Sequence, residues 1–106
     1  MYGTVMVGRL KGTPEEMQRV NDEWLELQVP GFVREETLVG DDGRSVISAV
    51  FFESREAYER LAKDPRQDEF WRTRFLPLLE GEPQWFDGTW QTALIQREVR
   101  RSSPTR

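Results

Sequence analysis

The stretch VISAVFF at residues 46–52 constrains the fold more than any other part of this sequence. Its β-branched and aromatic residues are typical of a β-strand. Side chains alternate along a strand, and apart from Ser48 both sets of alternating positions are apolar here. Antiparallel sheets usually keep one face in water, so a strand that is apolar on both faces needs a protein layer on each side.

Local signals divide the rest of the chain into helices and strands. Thr13 and Glu16 enclose a proline and together supply an N-cap and a capping box. The Asp-Gly pair at 42–43 favours a hairpin, and Pro77 favours a kink or an early end of the last helix. The predicted elements are a strand over residues 2–10, a helix over 14–28, strands over 32–39 and 45–53, a helix after Ser54, a helix over 65–79 and a strand over 84–98.

The order β-α-β-β-α-β predicts a ferredoxin-like α+β subunit, a four-stranded antiparallel sheet with its helices on one face. The other face exposes a larger apolar patch than a soluble monomer usually carries. We therefore expect a homodimer that packs sheet against sheet. We expect residues 1–99 to form a single domain and the arginine-rich residues 100–106 to form a disordered basic tail.

The composition argues against several kinds of chemistry. This sequence has no cysteine and no histidine, so it lacks disulfides, thiolate nucleophiles and the commonest ligand of haem and zinc. A net charge of −4 argues against general nucleic-acid binding, and no apolar run has the length of a membrane helix. Residues 1–4 do not resemble a signal peptide. We expect a cytoplasmic protein without metal, nucleic-acid or membrane partners, and the 13 arginines against 2 lysines indicate a GC-rich bacterial genome.

Three segments give the sequence a family resemblance. They are VPGF at residues 29–32, FFESREA at 51–57, and the helical residues 70–79, which include FLPLL. Together these segments resemble the antibiotic-biosynthesis-monooxygenase-like domains of the dimeric α/β-barrel superfamily, over residues 2 to about 95. The resemblance implies a sheet-to-sheet homodimer with one pocket per subunit, between the helices and the sheet.

The resemblance also implies an activity, a monooxygenase that oxidises a small phenol or quinol without a cofactor, because the substrate anion itself passes electrons to oxygen. The haem-degrading members hold iron through a helical histidine, which this sequence lacks, so that activity is not expected. A histidine common in quinol-oxidising members is also absent, and Trp71, Arg72 and Arg74 stand in that neighbourhood. Two alternatives remain, a domain that binds a ligand without converting it and a structural protein whose pocket is filled by side chains.

Two groups of residues at helical spacing are candidates for the substrate site. Asn21 and Trp24 share a face of the first helix, and the resemblance implies a polar amide and a tryptophan near the substrate. Trp71 and Phe75 would form an aromatic wall, with Arg74 beside it to hold a flat acidic ligand. The alternative for both groups is ordinary core packing with the polar neighbours in solvent.

Two further side chains complete the site prediction. Tyr58 would donate a proton or a hydrogen bond to a phenolate, or else pack its ring. Ser48 would point into the pocket or bond its neighbours. Glu35 and Glu36 alternate faces of a strand, so one would be exposed and the other paired with an arginine, and neither is assigned a role. The candidates for a catalytic role are Asn21, Tyr58 and Arg74.

Overall fold

The computed structural model describes residues 1–96, and the predicted basic tail at 100–106 lies outside this range. The strands are β1 (Tyr2–Arg9), β2 (Phe32–Val39), β3 (Ser45–Phe52) and β4 (Gln84–Thr89). They form one antiparallel sheet in the order β2-β3-β1-β4. The helical elements are α1 (Pro14–Leu25), α2 (Arg55–Ala62), α3 (Pro65–Phe70), a π-helical turn (Trp71–Phe75) and a 3-10 turn (Leu76–Leu78). This architecture confirms the predicted ferredoxin-like α+β fold.

The helices begin where the sequence places a capping side chain. Thr13 Oγ1 accepts a hydrogen bond from the Glu16 amide at 3.1 Å, and Glu16 Oε1 accepts one from the Thr13 amide at 3.1 Å. Ser54 and Asp64 cap α2 and α3 by accepting hydrogen bonds from backbone amides of the first turn. These bonds satisfy amide groups that a helix leaves without partners, and they fix where each helix starts.

Two predicted helices differ from the observed ones at their ends. α1 stops at Leu25 rather than Gln28, and Gln28 itself adopts a left-handed φ of 49°. The predicted helix over 65–79 consists of α3, the π-helical turn and the 3-10 turn, which contains Pro77. Proline has no N–H and its ring crowds the preceding turn, so a regular α-helix does not continue through it. No helix within residues 1–96 is long and apolar enough to cross a membrane.

The even-numbered residues of β3 face the helices. Val46 and Phe52 are each 1% exposed. A buried cluster joins the sheet to α1 and to the segment before β4; it consists of Met6, Leu10, Met17, Val46 and Leu79. The strand register also lays two rows of side chains across the sheet beneath the helices. They are Glu35, Val50, Thr4 and Asp87 in one row, and Thr37, Ser48, Met6 and Trp85 in the next.

The opposite side of the sheet, called the open face below, carries the other alternating side chains. Several large apolar residues are exposed there, and Phe86 is 76% exposed; the others are Val7, Leu38 and Ile47. The predicted apolar face without helices is therefore present. The sheet-to-sheet homodimer that we expect from it stays a prediction.

The last strand is shorter than predicted, since β4 ends at Thr89 rather than at residue 98. The next residue, Trp90, crosses the open face. Its indole N–H donates to the Val50 carbonyl oxygen at 3.1 Å, and its ring stacks on Phe51 with centroids 4.4 Å apart. The chain from there to residue 96 has no regular structure.

Candidate functional site

A cleft lies between the helices and the helix-facing side of the sheet. Its inner lobe is a mostly apolar cavity of about 150 Å³. An adjoining outer lobe of about 370 Å³ runs between α1 and β2. Asn21, Trp24 and Glu35 line both lobes, so these three residues mark the junction between them.

The structure brings six of the seven predicted site residues together around the inner lobe. They are Asn21 and Trp24 of α1, Ser48 of β3, Tyr58 of α2, and Trp71 and Phe75 of the π-helical turn. Residues from four elements therefore converge on one space. The seventh predicted residue, Arg74, is not in this lining.

Trp71 and Phe75 form the aromatic wall that their spacing predicts. Their rings are nearly parallel, at 17°, with centroids 5.4 Å apart. Trp85 of β4, which the sequence did not single out for the site, meets Trp71 edge-on at 5.2 Å. Both wall residues lie on the π-helical turn, a distortion that occurs frequently at functional sites. The wall presents flat faces on which an aromatic ligand can stack.

Trp24 is held in place by a residue that sequence reasoning missed. Its indole N–H donates to Gln67 Oε1 at 2.6 Å, which ties α1 to α3. Gln67 also lines the inner lobe. Because the two residues lie 43 positions apart, no local pattern could have paired them. The bond fixes the indole plane beside Asn21, at the junction of the lobes.

Tyr58 is oriented by an acid on β4. Its hydroxyl donates to Asp87 Oδ1 at 3.0 Å. Burial, and then the hydrogen bond to Asp87, raise the pKa of Tyr58 to about 12. The phenol therefore keeps its proton at neutral pH and directs it at Asp87. What remains for a ligand is a lone pair on the Tyr58 oxygen, which can accept a hydrogen bond.

Arg74 lies outside the cleft and is already paired. Its guanidinium binds the Glu23 carboxylate of α1 with two nitrogens, at 2.7 Å and 2.9 Å. Both side chains are about half exposed, at 50% and 44%. The pair links α1 to the π-helical turn on the surface. The structure thus does not place Arg74 with the other predicted site residues.

Glu35 is a cleft residue to which sequence reasoning assigned no role. Its neighbour Glu36 lies on the open face, where its carboxylate is 3.4 Å from the guanidinium of Arg34. On the cleft side, Thr37 Oγ1 donates to Glu35 Oε2 at 3.4 Å and lies 2.8 Å from Ser48 Oγ. Alternation correctly predicts that the two glutamates lie on opposite faces. The prediction that one is exposed and the other paired with an arginine is wrong, because Glu36 is both exposed and paired with Arg34.

The surroundings of Glu35 alter its acidity. Burial raises the pKa of its carboxyl above the usual 4.5, while hydrogen bonds from Thr37 and Ser48 act in the opposite direction. β2 is an edge strand, and the side chain keeps contact with solvent at the mouth of the cleft. A raised pKa makes the ionised carboxylate a stronger base. Within residues 1–96, no group of acidic side chains is arranged to hold a metal ion.

Comparison with known proteins relates the chain to solved structures. No protein-family model matches it, and neither does any curated protein. A monooxygenase from the gene ActVA-Orf6 of Streptomyces coelicolor, solved with nanaomycin D, is 26% identical, with a TM-score of 0.67 over 90% of this chain and 91% of that chain. SnoaB, a cofactor-independent oxygenase from Streptomyces nogalater, is 23% identical, with a TM-score of 0.67 over 87% and 95% of the two chains.

The same fold also occurs with a different named activity. A hydroxynitrile lyase from Passiflora edulis is 13% identical, with a TM-score of 0.59 over 86% of this chain and 95% of that chain. Fold alone therefore does not decide the reaction. The matches nevertheless cover nearly the whole of both chains and include further antibiotic biosynthesis monooxygenases. The chain therefore shares the fold of the antibiotic-biosynthesis-monooxygenase-like domains, and the resemblance seen in its sequence is confirmed at the level of structure.

Proposed function

We propose that this protein is a cofactor-independent monooxygenase acting on a small aromatic substrate of the phenol or quinol type. The observation that carries the proposal is the aromatic cleft, in a chain 26% identical to a monooxygenase solved with nanaomycin D. A phenolate is electron-rich and supplies its own electrons to oxygen. The protein then has to bind the ring, favour its anion and keep bulk water away.

The overall reaction balances without a bound cofactor. A dihydroxynaphthalene and one molecule of O2 give a hydroxynaphthoquinone and one molecule of water. One oxygen atom enters the ring and the other leaves as water, and all the electrons come from the substrate. The roles left to the protein are binding, orientation and electrostatics.

The dimensions of the cleft indicate the size of the substrate. The inner lobe, about 150 Å³, is comparable to an apolar protein cavity that takes up one benzene molecule. The outer lobe continues from it past Asn21, Trp24 and Glu35. A substrate with fused rings would place one ring against Trp71 and extend its polar end between α1 and β2.

We also propose a homodimer through the open face. Ile47 of β3 and Phe86 of β4 are 44% and 76% exposed there. A sheet face of this kind is covered most simply by the same face of a second copy, in a symmetric contact. The proposed small aromatic ligand binds on the other side of the sheet, so the contact between copies leaves the cleft open.

The test is oxygen uptake by the purified protein with a dihydroxynaphthalene and no added cofactor. We expect uptake above the rate of autoxidation, with one atom of isotopically labelled oxygen in the product. Trp71→Ala removes part of the aromatic wall that lines the inner lobe and should lower the affinity for the substrate while the protein stays folded. Uptake equal to that of a protein-free control would contradict the monooxygenase.

A second candidate is a domain that binds an aromatic ligand without converting it. The observation that favours it is that Trp24 and Tyr58 already direct their N–H and O–H groups at Gln67 and Asp87. These side chains then contribute shape more than polar recognition. A rise in melting temperature with the dihydroxynaphthalene, but no oxygen uptake, would support binding alone.

A further inference from the structure

The proposed reaction needs a group that removes a proton from the substrate, and Glu35 lies in the cleft where such a group would act. We propose that Glu35 is the general base that removes the proton of the substrate's phenolic hydroxyl. The substrate O–H bond breaks, the proton goes to a carboxylate oxygen of Glu35, and the electron pair stays on the substrate oxygen as a phenolate. The phenolate then reduces O2, the co-reactant of the monooxygenase function on which this assignment rests.

The position of Glu35 suits this proton transfer. It lines both lobes, with Asn21 and Trp24, at their junction. An aromatic ring in the inner lobe is surrounded mainly by apolar side chains, where a hydroxyl without a partner is costly to bury. The ring therefore directs its hydroxyl toward the junction, within reach of the Glu35 carboxylate. A general base needs this hydrogen-bond reach before its acidity matters.

The Glu35 carboxylate has capacity left for a substrate. Its partners are the hydroxyls of Thr37 and Ser48, and Thr37 Oγ1 approaches at 3.4 Å, which is long for a hydrogen bond between oxygens, so lone pairs remain available. Asp87, by contrast, accepts the Tyr58 hydroxyl at 3.0 Å and is engaged. Among residues 1–96, no lysine or arginine lines either lobe. No cation within the described cleft therefore competes with a substrate hydroxyl for Glu35.

The groups around Glu35 support its basicity. The ionisable side chains that face the cleft are Asp22 of α1 and Tyr58 of α2, with Asp87 of β4 behind Tyr58. α3 and β3 contribute the uncharged Gln67 and Ser48, and the linings from β1 and the π-helical turn hold no ionisable group. Partial burial of the carboxyl, with no positive charge facing it in the described cleft, raises the pKa of Glu35 above 4.5 although the side chain is exposed at the mouth. A pKa closer to neutrality suits a general base.

Glu36 provides a matched control. It is the same amino acid on the same strand, but it lies on the open face beside Arg34, with 3.4 Å between their charged groups. The experiment compares Glu35→Gln with Glu36→Gln in the wild-type background. Oxygen uptake with a dihydroxynaphthalene is followed across pH, after subtraction of autoxidation at each pH.

We expect Glu35→Gln to lower kcat by about 100-fold or more, the usual contribution of a positioned general base. It should also remove the acid limb of the pH profile, while Glu36→Gln keeps both the rate and the limb. KM should change little, because glutamine fills the same volume. Glu35→Asp keeps a carboxylate but withdraws it, and should retain the limb with a rate between those of wild type and Glu35→Gln.

The possible results separate the general base from the monooxygenase. Equal rates and equal acid limbs in the two glutamine variants would overturn the general base and leave the monooxygenase standing. No oxygen uptake by the wild-type protein would overturn both. Circular dichroism checks the fold of each variant, and if Glu35→Gln fails to fold, a missing acid limb in Glu35→Asp would contradict the proposal.

Discussion

Thr37 and Ser48 face each other across β2 and β3 with their hydroxyl oxygens 2.8 Å apart. Ser48 is 2% exposed, so its hydroxyl depends on a protein partner. This bond explains the single polar residue in the apolar stretch at 46–52. It also places two hydroxyl groups next to Glu35, since Thr37 contacts the carboxylate as well.

Ser48→Ala should lower the free energy of unfolding by about 1 kcal/mol, because it removes the shorter of the two hydrogen bonds of the Thr37 hydroxyl. The double variant Thr37→Val with Ser48→Ala should lose less than the sum of the two single changes, since it removes both polar groups together. Urea unfolding of the three variants measures this coupling. Strictly additive losses would show that the two hydroxyls do not interact.

Glu35→Gln should stabilise the protein at neutral pH. The Glu35 side chain is exposed at the mouth of the cleft, but partial burial of its carboxyl raises the folded pKa above 4.5, so the folded state binds the proton slightly more tightly than the unfolded chain. The stability from this group is complete below the unfolded pKa and is lost as the pH rises through the folded pKa. The amide avoids that loss, so its melting temperature should exceed that of wild type at about pH 7 and match it at about pH 4.

Glu36→Gln is again the control for this stability measurement, since Glu36 lies on the open face beside Arg34. Thermal unfolding followed by circular dichroism at both pH values is sufficient. A melting temperature of Glu35→Gln below that of wild type at neutral pH would contradict the unfavourable burial of the Glu35 charge. A gain in stability together with a loss of activity is typical of a residue kept for function.

Tyr58→Phe should leave the pH profile of activity unchanged. Burial and the bond to Asp87 raise the pKa of Tyr58 to about 12, so its ionisation does not occur in the pH range where the proposed activity is assayed. The variant loses the hydrogen bond to Asp87 but removes no proton-transfer group of the proposed mechanism, so its rate should fall by much less than the about 100-fold expected for Glu35→Gln. A loss as large as that expected for Glu35→Gln would assign proton transfer to Tyr58 instead.

Ile47→Asp should convert the proposed homodimer to a monomer. The residue lies on the open face of β3, where a buried carboxylate without a partner would oppose association. Arg19→Asp places the same side chain at an exposed position of α1 and should leave the assembly intact. Sedimentation velocity at micromolar concentration distinguishes the two species. A wild-type protein that sediments as a monomer would contradict the proposed dimer.

Alternation along strands explains much of what the sequence predicts. The two apolar faces of β3 follow from the order of its residues, and the structure places one face against the helices and the other on the open face. Trp85 and Trp90 differ by an odd number of positions. Trp85 lies in the cleft lining and Trp90 lies on the open face, but strand alternation accounts only for Trp85, since β4 ends at Thr89.

The role of Glu35 could not be found in this way, because β2 contains an irregularity. The register shifts between Phe32 and Arg34, so Phe32 pairs with Phe52 while Glu35 pairs with Val50. Phe32 and Glu35 consequently face the same side although they are an odd number of positions apart. Counting from Phe32 would have placed Glu35 on the open face.

Contacts between distant segments account for the rest of what the sequence leaves open. Arg74 lies next to the aromatic wall in sequence, but its position outside the cleft is fixed by Glu23, which is 51 residues away. The direction of the Tyr58 hydroxyl is likewise set by Asp87, 29 residues along the chain. Local spacing in the sequence predicts neither partner, since both pairings depend on the tertiary packing of segments that are far apart in the chain.

Consecutive residues of β2 divide between two environments. Glu35 and Thr37 reach the cleft, whereas Glu36 and Leu38 reach the open face. In the proposed homodimer, a substrate in the cleft and the second copy on the open face would therefore be separated by the single strand β2. A shift of β2 against the second copy in the proposed homodimer would therefore also move Glu35 in the cleft, because no other layer of protein lies between them.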